Sequence, residues 1–394
     1  MIKQFQTVFQ IAVCSLVAMA IWANAQSADF VGNTYNVGGR PAGVASADVN
    51  GDGKPDLISV NNLANTLTVL TNSGSGGFHS NATYTVGGGP LAVIAADVNG
   101  DGKPDLISAN NLANTLTVLT NKGGGIFGSN ATLTVGSYPA FVTSADVNGD
   151  GRPDLISANN NANTLTVLTN NGNGVFGSNA TLSVGSRPYG VAAADVNADG
   201  KVDLVSANYN AHTLTVLTNE GSGSFGFAAT LAVNGYPNSM VAADINGDGN
   251  VDLISANLSV FPNAGTLTVL TNNGSGGFGS NTVANVGRQP FSVAAADVNG
   301  DGRLDLITAN FGDNTLTVLT QTSGALPALT LAATSSNTVV ISWPVAASGF
   351  VLQTNADLRG PNWGPAGYLI TTNGATKSIN IAPSANQMFF RLEQ

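Results

Sequence analysis

Short apolar runs separated by turn-forming residues repeat along most of the chain. The segment Thr-Leu-Thr-Val-Leu-Thr occurs six times, first at Thr66 and last at Thr315. Alternation of polar and apolar residues is the pattern of a β-strand with one buried face. Gly, Asn, Asp and Pro bound these runs and mark turns. The pattern predicts an all-β protein.

The repeat has a period of 49 residues, and this period indicates the architecture. In the fourth copy, the pattern predicts four strands, at residues 190–196, 203–207, 213–218 and 229–233. Four short strands in one period are typical of a β-propeller blade. The six copies therefore predict a six-bladed β-propeller.

An acidic segment of nine residues occurs in each copy. The first, Asp-Val-Asn-Gly-Asp-Gly-Lys-Pro-Asp, runs from Asp48 to Asp56, and the next copies start 49 residues apart four times and then 53 residues apart. Of the 21 aspartates in the chain, 18 occupy positions 1, 5 and 9 of these loops. Oxygen side chains at alternate positions, with Gly at position 6, suit Ca²⁺, whereas zinc prefers the His or Cys that the loops lack. The alternative is six polar turns that use Asp and Gly only for their conformations.

We predict about six Ca²⁺ ions with a structural role, held by the side chains at positions 1, 3, 5 and 9 and by the backbone carbonyl at position 7. Three carboxylates around an empty site repel each other, so without calcium we expect their pKa values to be raised. The predicted ligands are Asp48, Asn50, Asp52, Lys54, Asp56, Asp97, Asn99, Asp101, Lys103, Asp105, Asp146, Asn148, Asp150, Arg152, Asp154, Asp195, Asn197, Asp199, Lys201, Asp203, Asp244, Asn246, Asp248, Asn250, Asp252, Asp297, Asn299, Asp301, Arg303 and Asp305.

Together with these loops, two further motifs resemble the FG-GAP/VCBS repeats of integrin-α-like propellers. They are the turn Gly185-Ser-Arg-Pro188 and the pairs Phe127-Gly128, Phe176-Gly177, Phe225-Gly226 and Phe278-Gly279. The resemblance covers residues 30–322 and implies that each loop joins the first two strands of a blade and holds Ca²⁺. Integrin-type rings have seven blades, whereas this chain has six copies.

The ends of the repeat region predict how the ring closes. Residues 33–37 match a fourth strand, such as residues 82–86, and the last copy stops after its third strand at Thr320. Pairing these two pieces would complete the sixth blade and remove exposed strand edges. The alternative is a seventh blade built from the C-terminal region.

Residues 1–25 are predicted to be a cleaved signal peptide. Lys3 precedes an apolar run, and Ala23-Asn24-Ala25 is a small-x-small cleavage pattern. The alternative is an N-terminal membrane anchor. We therefore predict a secreted, extracellular or cell-surface protein that is not an integral membrane protein. Cys14, the only cysteine, lies in this segment, so calcium is expected to stabilise the mature chain in place of disulfides.

The predicted domains are the propeller at residues 26–322, a linker at 323–327 and a small β-sandwich at 328–394. The C-terminal region differs in composition and contains Trp343 and Trp363. Its segments Ser342–Pro344 and Phe389–Leu392 resemble short fibronectin- or immunoglobulin-like modules of secreted bacterial proteins.

Differences between the copies gather in two sets of turns, which an up-and-down blade places on the face opposite the acidic loops. A net charge of −10 disfavours nucleic acid as a partner. We predict a monomer that binds an extracellular protein, matrix or glycan ligand through this variable face. Its candidate residues are Arg40, Tyr138, Arg187, Tyr189, Tyr209, His212, Tyr236, Phe261, Phe291 and Phe311.

The sequence leaves three functions open. The first is an extracellular interaction or adhesion module, the second is a glycan-binding lectin, and the third is a calcium-dependent hydrolase or lyase. Glu220 and Glu393 are the only glutamates, and His79 and His212 lie on opposite faces of the predicted blades. No Ser/His/Asp arrangement or acid pair outside the loops is visible, so we predict that the protein is not an enzyme.

Overall fold

The computed structural model describes residues 34–74, 77–259, 263–321, 330–333, 339–344, 351–355, 364–365, 367–373, 376–381 and 389–393. All regular secondary structure in these residues is β. The described residues include no helix with the length and apolar character that crossing a bilayer requires.

Six antiparallel sheets follow one another through the repeat region, each built from strands consecutive in the chain. Sheets 1 to 3 contain β1 (Pro41–Ala47), β2 (Asp56–Asn61), β3 (Thr66–Gly74) and β4 (Gly77–Thr85); β5 (Pro90–Ala96), β6 (Asp105–Asn110), β7 (Thr115–Asn121) and β8 (Phe127–Thr134); and β9 (Pro139–Ala145), β10 (Asp154–Asn159), β11 (Thr164–Asn170) and β12 (Phe176–Ser183). Sheets 4 to 6 contain β13 (Pro188–Ala194), β14 (Asp203–Asn208), β15 (Thr213–Gly221) and β16 (Ser224–Ala232); β17 (Tyr236–Ala243), β18 (Asp252–Leu258), β19 (Thr266–Asn272) and β20 (Phe278–Asn285); and β21 (Pro290–Ala296), β22 (Asp305–Asn310) and β23 (Thr315–Leu319).

The four strands predicted for the fourth copy are present, with one large difference in their bounds. The last strand, β16, begins at Ser224 instead of Ala229. A tight hairpin pairs Gly221 with Ser224, and the register shifts again between Val216 and Leu217. Irregularities of this kind keep a strand paired across a stretch whose alternation is broken. The strand predicted from the sequence pattern alone is therefore too short.

Antiparallel pairing gives every sheet two distinct ends. At the loop end, the acidic loop joins the first strand to the second, as Ala194 pairs with Asp203, and the hairpin joins the third strand to the fourth. At the turn end, a short turn joins the second strand to the third, as Asn208 pairs with Thr213. The connecting turn that leads to the next sheet also lies at the turn end.

Apolar residues of neighbouring sheets form five separate cores among the described residues. Between sheets 3 and 4, for example, Ile156 and Leu165 pack with Val191 and Leu204, and all four side chains are buried. Burying such a side chain stabilises the fold by roughly 1.5–3 kcal/mol. Each sheet therefore depends mainly on its neighbours, as in other repeat proteins.

The two ends of the array lack the packing that the inner sheets have. Leu316 of β23 is 70% exposed, whereas the equivalent Leu214 of β15 is 0% exposed. Val44 of β1 is 68% exposed, whereas the equivalent Val191 is 4% exposed. Leu316 and Val44 occupy the positions of Leu165 and Val191, which pack together in the core between sheets 3 and 4.

The predicted closing strand is not formed in the part of the chain that the structure describes. Residues 34–37 have no strand conformation, and the described sixth sheet consists of three strands. Tyr35 nevertheless packs edge-on against Phe78, with ring centroids 5.6 Å apart, as Tyr84 packs against Phe127 at 5.5 Å. Residues 34–37 thus contact sheet 1 as a preceding fourth strand would, but without pairing to β23. Ring closure and the number of blades stay predictions.

The C-terminal region forms two further antiparallel sheets. One contains β24 (Thr330–Ala333), β25 (Val339–Pro344), β28 (Thr371–Asn373) and β29 (Thr376–Ile381), and the other contains β26 (Val351–Asn355), β27 (Gly364–Pro365) and β30 (Phe389–Glu393). Trp343 and Ile379 of the first sheet share a core with Leu352 of the second. Two sheets around one core is the arrangement of the predicted β-sandwich, while the domain bounds and the family of this region stay predictions.

The open end of the sixth sheet leads to a stability prediction. Leu214→Ala removes a fully buried side chain, so we expect a loss of about 2–5 kcal/mol in the free energy of unfolding. Leu316→Ala changes an exposed side chain at the same strand position, so we expect a change within about 0.5 kcal/mol. Denaturant unfolding of both variants measures the difference. Equal losses at the two positions would mean that β23 is covered and that the ring closes in solution.

Candidate functional site

The acidic loops are held by hydrogen bonds to their own backbone. In the first loop, Asp48 Oδ1 accepts hydrogen bonds from the N–H groups of Gly51 at 2.8 Å and Asp52 at 3.1 Å. The other oxygen, Oδ2, accepts from the Gly53 N–H at 2.8 Å. Asn50 Oδ1 accepts from the Asp52 N–H at 2.8 Å. Gly51 and Gly53 both have φ of 81°, which a residue with a side chain rarely adopts.

The aspartate at position 9 has a structural role that the sequence pattern did not reveal. Asp56 is fully buried, and its Oδ2 accepts a hydrogen bond from the Val49 N–H at 3.0 Å. Its Oδ1 accepts from the Asn72 N–H at 2.8 Å. One carboxylate therefore joins the loop, the second strand and the end of the third strand. Burial raises the pKa of four of these aspartates, Asp105, Asp154, Asp203 and Asp252.

In five of the six loops, the aspartate at position 5 is paired with a basic residue at position 7; in the fifth loop, position 7 is Asn250. Lys54 Nζ donates to Asp52 Oδ2 at 3.1 Å, and Lys201 pairs with Asp199 at the same distance. These hydrogen bonds hold the pKa of Asp52 and of Asp199 below the usual value. The expected rise in pKa at position 5 is therefore wrong for these two loops, because the lysine offsets the repulsion between the acids.

The loops have the donor chemistry of a hard-cation site, but their side chains are already engaged. A carboxylate has about four lone-pair sites, and Asp48 uses three of them for loop N–H groups. In the described residues, no group of three or more His, Cys, Asp or Glu side chains is arranged to hold a metal ion. Calcium ligation by the predicted residues at positions 1, 3, 5, 7 and 9 therefore stays a prediction.

The acidic loops also bind neighbouring sheets to each other. Asn121 Nδ2, at the end of β7, donates to the backbone carbonyl of Val49 at 2.8 Å, across to the first sheet. Asn170 makes the same bond to Val98 at 2.7 Å, and Asn219 makes it to Val147 at 2.8 Å. A conformational change in one loop would therefore act on the contact with the next sheet.

At the turn end, the structure brings four of the predicted ligand residues into one group, which we call the aromatic cluster: Tyr189, Tyr209, His212 and Tyr236. Tyr209 lies between Tyr189 and Tyr236, with ring centroids 5.1 Å from each. The ring of His212 is 4.1 Å from that of Tyr236. All four side chains are half-buried. The cluster therefore joins two sheets, because Tyr236 begins β17 of sheet 5.

The aromatic cluster replaces a hydrogen bond that links sheets elsewhere. Asn65 Oδ1 accepts from the Gly89 N–H, and Asn114 Oδ1 accepts from the Tyr138 N–H, both at 2.8 Å. The equivalent residue in sheet 4 is His212, which contacts the next connecting turn through its ring. A neutral hydrogen bond contributes about 0.5–1.5 kcal/mol, so the change has a cost in stability unless ring packing offsets it.

Large side chains occupy a strained position in several connecting turns. Arg40, Tyr138, Arg187 and Gln289 have φ between 52° and 60°, the left-handed region. Gly89, with φ of 65°, occupies this position in sheet 2. A residue with a Cβ atom costs about 1–2 kcal/mol there, and strain of this kind is often found at functional sites.

Arg187 is held beside the aromatic cluster by a residue that sequence reasoning missed. Its Nε donates to Asn160 Oδ1 at 3.1 Å. Burial raises the pKa of the neighbouring Tyr189, and the positive charge of Arg187 opposes this shift. Asn160 also occurs as Asn at the equivalent positions of sheets 1 and 2, so no sequence signal distinguished it.

The other candidates lie outside the aromatic cluster. Phe291 and Phe311 form a separate exposed pair on sheet 6, with ring centroids 5.4 Å apart. Arg40 is exposed on sheet 1, and the ring of Tyr138 is half-buried on sheet 3. Phe261 lies outside the described residues.

The repeated sheets and their acidic loops define a propeller-type repeat protein. The family model of the FG-GAP-like repeat matches residues 48–108, 97–157, 146–206, 195–255 and 244–308. These overlapping matches span more than half of the chain, so the chain belongs to the FG-GAP-like repeat family, as its motifs predicted. No curated protein sequence matches the chain.

Solved structures from several organisms are similar to the chain. A putative 6-phosphogluconolactonase from Bacteroides uniformis is 13% identical, with 74% of this chain and 83% of that chain covered and a TM-score of 0.56. A functionally unknown protein from Desulfotomaculum acetoxidans is 14% identical, with 73% and 84% covered and a TM-score of 0.55. An Agrocybe aegerita lectin that recognises non-reducing terminal N-acetylglucosamine is 20% identical, with 89% and 85% covered and a TM-score of 0.47. At these identities the likeness concerns the fold alone.

The buried carboxylate at position 9 leads to a prediction that does not depend on calcium. In Asp203→Asn, an amide nitrogen would face the N–H of Val196 or of Asn219, both of which now donate to the carboxylate. We expect a loss of about 1–3 kcal/mol in the free energy of unfolding, measured in chelator. Asp199→Asn, in the exposed part of the same loop, should lose much less. Equal effects of the two substitutions would contradict the structural role of Asp203.

Proposed function

We propose that the protein is an exported, calcium-stabilised binding module that holds its ligand at the aromatic cluster. The observation that carries this proposal is the replacement of a repeated inter-sheet hydrogen bond by four clustered aromatic residues. Aromatic residues with polar edges are favoured in binding sites because they combine large apolar area with hydrogen-bonding groups. The junction between sheets 5 and 6 also lacks this hydrogen bond, because Gly265 occupies the asparagine position, but it carries no aromatic residue there. A cluster of large side chains at one junction is expected where a site has been added to a uniform scaffold.

The distribution of charge supports a binding role for the turn end. All 18 loop aspartates lie at the loop end, together with Glu220. In residues 34–321, the charged residues of the turn end are Arg40, Arg187, Arg288 and Asp313. Asp313 is paired with Arg288 by a side-chain ion pair. The turn end is therefore mildly basic while the chain as a whole is acidic.

Calcium would act at the loop end as a structural ion. Binding there requires the carboxylates at positions 1 and 5 to exchange some of their present hydrogen bonds for the ion. With a dissociation constant of ~0.1 mM and ~1 mM calcium, each site contributes roughly 1.4 kcal/mol to stability. Because Val49 and its equivalents join each loop to the next sheet, this stabilisation would extend to the contacts between sheets.

Export is the part of the proposal that rests on sequence alone. Residues 1–25 have the pattern of a signal peptide, and they lie outside the described residues. An extracellular location supplies the millimolar calcium that weak sites need. The proposed role is therefore an extracellular interaction module, and the FG-GAP-like repeats favour a non-enzymatic function.

Reverting the cluster to the residues of other repeats tests the binding site. The variant combines Tyr189→Ala, Tyr209→Asn and His212→Asn, which copy Ala140, Asn160 and Asn163 of sheet 3. Because the chain already uses these residues in the same fold, we expect normal folding and a loss of ligand binding of at least about 10-fold. The measurement is a screen of matrix proteins and glycans, with and without chelator, against both proteins.

Leu112→Ala is the control for this screen, because Leu112 is 72% exposed in a turn of sheet 2 at the same end of the molecule. It should bind like the unchanged protein. A reverted variant that keeps all binding would overturn the proposed site.

Removing one acidic side chain tests the calcium proposal. Asp150 is an exposed position-5 residue that pairs with Arg152. We expect Asp150→Ala to lower the melting temperature in calcium and to change it little in chelator, because the ion would be lost from one loop. Thermal unfolding in both conditions makes the comparison. An equal decrease in chelator would contradict a structural ion at this loop.

A further inference from the structure

The aromatic cluster offers flat apolar faces and polar edges to the same ligand. Three of its members carry a phenolic hydroxyl, and His212 carries two ring nitrogens. The rings are half-buried, so part of each stays accessible. A pyranose sugar has matching chemistry, because one face of its ring presents C–H groups and its rim presents hydroxyl groups. The interplanar angles of 38° to 56° between neighbouring rings give a faceted surface suited to a small ring.

Arg187 adds a positioned cation beside this surface. Its Nε is bound to Asn160 Oδ1 at 3.1 Å, which orients the guanidinium group. Within the part of the chain that the structure describes, its two terminal nitrogens make no hydrogen bond or ion pair. An oriented guanidinium group binds a carboxylate through two parallel hydrogen bonds, which a lysine cannot do.

The surroundings of Arg187 favour a negatively charged ligand group. Asp313, the one acid at the turn end in residues 34–321, is on sheet 6, and its carboxylate accepts hydrogen bonds from the backbone N–H and from the side-chain Nε of Arg288. Arg187 also takes a left-handed conformation, with φ of 56°, where Gly89 serves in sheet 2. The same conformation occurs at Arg40, Tyr138 and Gln289, so backbone strain does not distinguish Arg187 from the other turns. Arg187 has no acidic partner among the described residues, and a ligand carboxylate would supply one.

We propose that the aromatic cluster and Arg187 together bind a uronic acid unit of an acidic polysaccharide. The sugar ring packs against Tyr209 and Tyr236, and its carboxylate accepts hydrogen bonds from the Arg187 guanidinium group. This inference rests on the proposed function, since it names the ligand class of the same site. It requires no chemical change in the ligand.

The test compares an acidic oligosaccharide with its uncharged form. A glucuronic acid oligosaccharide and its methyl ester have the same rings and differ in charge, so they isolate the contribution of the carboxylate. We expect the full-length chain to bind the acid at least about 10-fold more tightly than the ester, because hydrogen bonds to charged groups are the strong ones. Isothermal titration calorimetry at fixed calcium and salt gives both affinities.

Two variants separate the roles of charge and ring surface. Arg187→Gly copies Gly89 of sheet 2 and relieves the backbone, so it should fold normally and bind acid and ester equally and weakly. The variant with Tyr189→Ala, Tyr209→Asn and His212→Asn should bind neither form. Leu112→Ala should behave like the unchanged chain. Melting temperatures of all variants check that folding is retained.

The possible outcomes distinguish this inference from the proposed function. Equal affinity of the unchanged chain for acid and ester, no binding of either, or a preference that survives Arg187→Gly would each overturn the uronic acid proposal. If the aromatic cluster instead binds a neutral glycan or a matrix protein, the proposed function stands and the ligand class is wrong. If no ligand depends on the aromatic cluster, both are wrong.

Discussion

The buried carboxylate at the ninth position of each acidic loop is the interaction on which the repeat depends. Asp56 and its five equivalents accept N–H groups from the loop and from the end of the third strand. Leaving those buried N–H groups without a partner would cost about 1–3 kcal/mol each. This carboxylate therefore fixes the path of the chain at the loop end, whether or not a cation is bound.

Once the loop end is fixed, the contacts between sheets follow from it. The carbonyl of Val49 is positioned to accept from Asn121 of the next sheet, and apolar residues of the two sheets pack below this bond. The same arrangement recurs along the array, and this lets the turn end vary without loss of the fold. Separation of a rigid end from a variable end is a physical reason why such a scaffold can acquire a binding site.

The junction between sheets 4 and 5 shows what this freedom permits. There the asparagine that links sheets 1 to 4 is replaced by His212, and its hydrogen bond is replaced by packing on Tyr236. Arg187 keeps a strained backbone beside the rings. The strained backbone is shared with Arg40, Tyr138 and Gln289, whereas the exchange of the hydrogen bond for ring packing is specific to this junction. Natural sequences depart from a repeated local arrangement mainly at functional sites.

The amino-acid sequence determined the all-β class, the number of repeats and the order of the strands within a repeat, because the alternation of residues and the acidic loops recur at a fixed period. It also predicted which turns carry variable residues. It did not give the start of β16 or the conformation of residues 34–37. Only the tertiary structure showed that Tyr189, Tyr209, His212 and Tyr236 meet in one cluster, since they come from separate turns of two sheets. It likewise showed Asp56 as a buried acceptor, because a pattern of oxygen-bearing residues does not distinguish a metal ligand from a hydrogen-bond partner of the backbone. The exposed ends of the first and last sheets depend on contacts across the whole array, which a local pattern does not contain.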